Sequence, residues 1–141
     1  MDNMNIKKST LEIVGITLVL LMTILQGFYG IFAYIDPSAF SSVRGTELFS
    51  TMDSDWVNIY GSRTLFITLM LSYLLYTRHY SILMWSALFG IVMPVTDAIL
   101  AYQADAPFNV IVKHIITIIY LAITCFVLNK LVAKKPNNAL K

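Results

Sequence analysis

The sequence predicts an all-α fold: an antiparallel four-helix transmembrane bundle with a short extramembrane helix or lid in its first loop. Three observations carry this expectation. Of 141 residues, 57% are hydrophobic and only 13% are charged, whereas a soluble domain keeps about a quarter of its residues charged. The missing water-facing surface must therefore face lipid. Four windows reach the roughly 20 apolar residues that a ~30 Å hydrocarbon layer requires of a helix. The links between the second and third windows and between the third and fourth are so short that both pairs must be hairpins.

The first window, residues 11–35, reads "LEIVGITLVLLMTILQGFYGIFAYI". Its apolar run is too long for a cleavable signal, and no small-residue cleavage site follows it. The outer loop, residues 36–56, sets Asp36, Glu47, Asp53 and Asp55 against a single cation, Arg44. Asp36 followed by Pro37 reads as an N-cap and a first-turn proline. A short helix is expected there, lying on the membrane surface or closing over the bundle. The second window, residues 57–77, repeats Gly61, Thr64, Thr68 and Ser72 at helical spacing, a small face of the kind that packs helices in lipid. In the third window, residues 82–103, Pro94 should bend the helix and free the carbonyl of Gly90, because proline donates no backbone hydrogen bond. The bend makes room for a ligand or water, or is a tolerated kink. The fourth window is residues 109–131. No internal repeat or low-complexity segment interrupts the chain, so residues 1–141 read as one membrane domain.

The cations set the orientation. Lys7, Lys8, Arg78, Lys130, Lys134, Lys135 and Lys141 fall on one side, against Arg44 on the other. The positive-inside rule then places both termini of this multi-pass protein in the cytoplasm and the acidic loop outside.

Arg63, Asp97, Lys113 and His114 fall inside apolar windows, where each charge near mid-bilayer costs roughly 2.5–3.5 kcal/mol. Arg63 lies six residues inward from Val57 and Asp97 six inward from Gln103, so both sit about 9 Å deep. His114 lies five residues inward, about 7–8 Å deep. Three antiparallel helices thus bring a guanidinium, a carboxylate and an imidazole to one level near the outer side. Gln26 and Tyr29 of the first window can join them, and Tyr60 lies one turn from Arg63. Lys113 points about 100° away from His114 around its helix and is expected to snorkel to the headgroups. Glu12 reads as a boundary residue near Lys7 and Lys8.

Other chemistries are excluded or unsupported. The net charge of +2 and the lack of a basic cluster interleaved with aromatics argue against nucleic acid. Cys125 stands alone, which rules out an internal disulfide, and its apolar surroundings suit packing. His79 and His114 belong to opposite sides and cannot share a metal. No phosphate loop, nucleophile elbow or CxxC is present, so no cofactor or metal is expected.

The stretches "YGSRTLFITLMLSYLL", "ALFGIVMPVTDAIL" and "VIVKHIITIIYLAI" resemble the small integral membrane proteins grouped as domain of unknown function 4267. Those have a Gly-x-Arg near the start of the second helix, an Asp late in the third and a His early in the fourth. Gly61, Arg63, Asp97 and His114 match these positions. The resemblance implies a four-helix bundle and brings no activity with it. A longer acidic loop and Lys113 beside the histidine depart from the pattern, and similarity to DoxX-like families is only architectural.

Two functions remain open. In one, Arg63, Asp97 and His114 are catalytic, and Gln26, Tyr29 and Tyr60 bind substrate. Arg63 would then bind an oxyanion or carbonyl, His114 would move a proton, and Asp97 would fix the imidazole. A small lipophilic molecule with a polar head undergoing isomerisation or cyclisation would suit that trio. In the other, the network is purely structural, Arg63 pairing with Asp97 while His114 donates a hydrogen bond, and the chain is a non-catalytic subunit beside a membrane protein partner or a homo-oligomer.

Overall fold

The computed structural model describes residues 9–46, 48 and 50–134. The orientation residues Lys7, Lys8, Lys135 and Lys141, and the loop residue Glu47, lie outside the described residues. The helices are α1 (Thr10–Ile35), α2 (Pro37–Arg44), α3 (Ser54–Tyr76), α4 (Tyr80–Gly90), α5 (Val92–Gln103) and α6 (Phe108–Lys134).

Local signals set the helix ends. Ser9 caps α1 by accepting from the Glu12 amide at 3.3 Å. Asp36 caps α2 by accepting from the Ala39 amide at 2.9 Å, with Pro37 in the first turn, so the expected short helix forms where the Asp-Pro pair starts it. α2 ends at Gly45 with φ 88°, a left-handed conformation that a side chain disfavours. A Cβ at Gly45 would also lie 2.8 Å from Val110 Cγ1. α4 and α5 are one apolar rod broken at Ile91, one turn before Pro94, as the missing proline donor dictates.

α1 packs most extensively on α3, and α6 packs on α4, α5 and α1. The α1–α3 crossing is close because both helices carry glycine there. A Cβ on Gly61 would meet the Gly30 carbonyl oxygen at 3.1 Å. Val19, Leu74, Tyr80, Leu83, Leu128 and Leu131 form the core at the α3–α4 hairpin end. Ala33, Phe40 and Val57 form a second cluster under α2. α3 touches α4 lightly and α5 hardly at all, so the ring of helices is open on that flank.

Among the described residues, three units are long and apolar enough to cross a membrane: Thr10–Ile35, Tyr80–Gln103 and Phe108–Lys134. In their most apolar stretches only 22%, 17% and 22% of residues are buried. Leu21, Ile24, Phe28 and Ile31 of α1, for example, form an exposed stripe. Apolar faces turned outward at this length identify a multi-pass membrane protein. α3 has 23 residues but is not among these three, because Arg63 and its serines, threonines and tyrosines dilute its apolar character.

Candidate functional site

The polar site lies at the α2 end of the bundle. Asp97, in the middle of α5, forms an ion pair with Arg44 Nη2. The same carboxylate oxygen faces His114 Nδ1 of α6 at 3.9 Å. The other ring nitrogen, Nε2, lies 3.4 Å from the Arg44 carbonyl oxygen. A carbonyl only accepts, so Nε2 is the donor in this contact, and Nδ1 is the nitrogen that faces Asp97. The three side chains are only 16%, 23% and 11% exposed. Arg44, Asp97 and His114 are thus a buried network drawn from three elements.

The guanidinium of Arg44 is held further by α3. Its Nη1 donates to the Tyr60 hydroxyl at 2.8 Å, and its Cζ lies 4.8 Å from the Tyr60 ring centroid and 5.8 Å from that of Phe40. Such contacts suit a planar cation withdrawn from water. Phe40 is buried one turn earlier on α2, so the i, i+4 face of this helix carries an apolar anchor and then a charge.

Arg63, expected as the partner of Asp97, does not occupy that place. It is exposed on α3, and among the described residues it forms no ion pair; Arg44 holds the carboxylate instead. The correction has a geometric cause. Equal depth does not imply a shared face, and Arg63 is about 60° around the helix from Tyr60, which does face the site. Arg44 was missed because a loop residue has no depth to count. The available signal was the lone cation of an acidic loop, four residues after Phe40.

The remaining expected residues converge. Gln26, Tyr29, Tyr60, Asp97 and His114 all line one cavity of about 90 Å³. Lys113 lines it too and donates to the Val43 carbonyl at 2.8 Å, so it ties down α2 where it was expected to reach for headgroups. A second cavity of about 350 Å³ extends towards the α3–α4 hairpin, lined by apolar side chains such as Val19, Met70 and Leu121. Met22, Gln26, Met93, Pro94 and Thr117 line both cavities. The larger volume falls within the 300–1,000 Å³ typical of small-molecule sites. Among the described residues, no group of His, Cys, Asp and Glu side chains could hold a metal ion.

Fold and site together define a multi-pass helical membrane protein with a buried ionic network at one end of an apolar chamber. The chain belongs to the family described as Domain of unknown function (DUF4267), whose model matches residues 14–128. No curated protein and no solved structure matches it.

Proposed function

We propose that this chain is a single four-helix membrane domain that binds a small lipophilic molecule and acts on it by proton transfer. One observation carries the reading: the apolar chamber and the polar cavity share a wall. A hydrocarbon body in the first would present its polar group to Arg44, Asp97 and His114. Intramembrane ionisable groups are functional candidates by default.

The geometry supports the following roles. Arg44 takes the oxyanion- or carbonyl-binding part assigned above to Arg63. His114 accepts and returns a proton through Nδ1, as isomerisation or cyclisation requires. Asp97 steadies the imidazolium, and Gln26, Tyr29 and Tyr60 orient the ligand. α2 closes the outer end, tied down through the Val43 and Arg44 carbonyls.

α3 is the fourth span in this reading. The hydroxyls of Ser62, Thr68, Ser72 and Thr77 donate to carbonyls of their own helix, which lowers their cost in lipid. With four spans, the positive-inside rule puts both termini in the cytoplasm and α2 outside.

A second reading rests on the satisfied state of Arg44, which has Asp97 and Tyr60 as partners without any ligand. The network is then a structural lock in a subunit that assembles with a membrane protein partner or with itself. His114→Gln in nanodiscs separates the two. Proton-transfer binding requires a folded variant that loses a lipophile seen by native mass spectrometry in the wild type. A lock requires that no lipophile be found and that thermal stability fall in step with the variant.

A further inference from the structure

The geometry points to a lateral mouth between α3 and the α4–α5 rod, with Arg63 on its rim receiving the anionic head of a single-chain amphiphile. This inference rests on the reading that the chamber holds a lipophile, and it adds the ligand's charge, its chain number and its way in.

The mouth is marked by residues that both line the chamber and face outward. Phe66 and Met70 of α3 are 63% and 45% exposed, and Ile82 and Met93 opposite them are 50% and 39% exposed. Exposure of chamber-lining residues on both α3 and the α4–α5 rod fits a gap between them, and α3 scarcely touches α5. Arg63 precedes Phe66, Ile67 and Met70 by three, four and seven residues. At 3.6 residues per turn it continues their stripe one turn towards the α2 end. It is exposed and, among the described residues, has no ion-pair or hydrogen-bond partner.

An unpaired guanidinium on the lipid-facing side of a span is costly and must find an anion or reach the interface. Arg63 lies six residues inward from Val57, about 9 Å into the span, so its guanidinium sits below the headgroups unless it stretches outward. An amphiphile head supplies the anion while its chain fills the chamber beside it. The interior favours the same sign of head: Arg44 and Lys113 line the polar cavity against Asp97 alone, and no charged side chain lines the apolar chamber. The chamber volume of about 350 Å³ sits near the low end of ligand sites, which suits a single acyl chain. Tyr60, one turn from Arg63, lines the polar cavity, so a head captured on the rim has a short path to Arg44.

The test uses the full chain in phosphatidylcholine nanodiscs and three diazirine-bearing probes of equal chain length: a fatty acid, a lysophosphatidic acid and a fatty alcohol. Chamber labelling by the acids should exceed that by the alcohol by roughly threefold to tenfold, the size of one charge-assisted contact. The stronger acid assigns carboxylate or phosphate. Arg63→Gln should bring acid labelling down to the alcohol level with an unchanged melting temperature, and Arg63→Lys should restore it. Ser86 lines the chamber, and Ser86→Trp, which fills it, should abolish labelling by all three. Acid preference that survives Arg63→Gln, or no preference in the wild type, overturns the rim assignment and leaves chamber binding standing. Absence of chamber labelling by every probe in the wild type overturns the proposed function itself.

Discussion

Arg44, the last residue of a surface helix, reaches down to Asp97 inside the bundle and closes the α2 end of the chamber with an ion pair. The pair joins a loop element to α5, and Tyr60 and His114 extend it to α3 and α6. Arg44 thus reaches α5 and α3 through its guanidinium and α6 through its carbonyl.

Removing one partner should therefore be costly. Arg44→Gln or Asp97→Asn is expected to lose ~1–3 kcal/mol, between exposed and fully buried pairs. The double variant Arg44→Met/Asp97→Leu should recover most of that loss, because no unpaired charge remains. Thermal unfolding in detergent reads both. Ligand retained by the double variant would exclude the pair from the binding site.

The α1–α3 crossing should tolerate no added methyl. In Gly61→Ala the new Cβ would lie 3.1 Å from the Gly30 carbonyl oxygen and 3.1 Å from Tyr34 Cε2. A backbone neighbour cannot swing aside, so the expected loss is ~1–3 kcal/mol. Gly90→Ala is the control: its Cβ would find nothing nearer than Leu121 Cδ1 at 3.8 Å, and its melting temperature should hold or rise, since alanine favours helix.

Pro94→Ala should divide stability from occupancy. The variant restores an amide that can bond the Gly90 carbonyl, straightening the α4–α5 rod. Melting temperature should stay equal or increase. Lipophile occupancy by native mass spectrometry should fall, because Pro94 lines both cavities.

At the opposite end, Tyr80 donates to Glu12 Oε1 at 2.8 Å, and Arg78 Nη1 lies 4.0 Å from the same oxygen. Tyr80 is 4% exposed. Tyr80→Phe leaves a largely buried carboxylate short of a donor, at an expected cost of ~1–2 kcal/mol. Chamber labelling should be unchanged, which marks this cluster as an anchor for α1 and separates it from the site.

Much of this was legible in the sequence because it is local. Asp36 and Pro37 start α2 through one capping bond, and Pro94 breaks its rod through one missing donor. Counting along helix axes brought Asp97 and His114 together, since depth in an antiparallel hairpin follows from the short turn that joins it. The count failed for Arg63, because depth leaves rotation about the axis open. It was also silent on Arg44 and on Lys113, whose partners are α2 atoms placed only by the tertiary fold. The Pro94 bend signalled room for a ligand or water, but the extent of the chamber was not legible. It arises from how far α3 stands from α5, a distance no residue pattern within either helix encodes.

That separation makes the surrounding solvent a building material. Among the described residues one flank of the helix ring is left open, so in the proposed reading the molecules of the membrane or micelle furnish the missing wall. Slender, flexible detergents will wedge into the gap, and rigid steroidal ones will leave it void. Melting temperature should then track detergent shape more steeply than in a closed bundle of equal size.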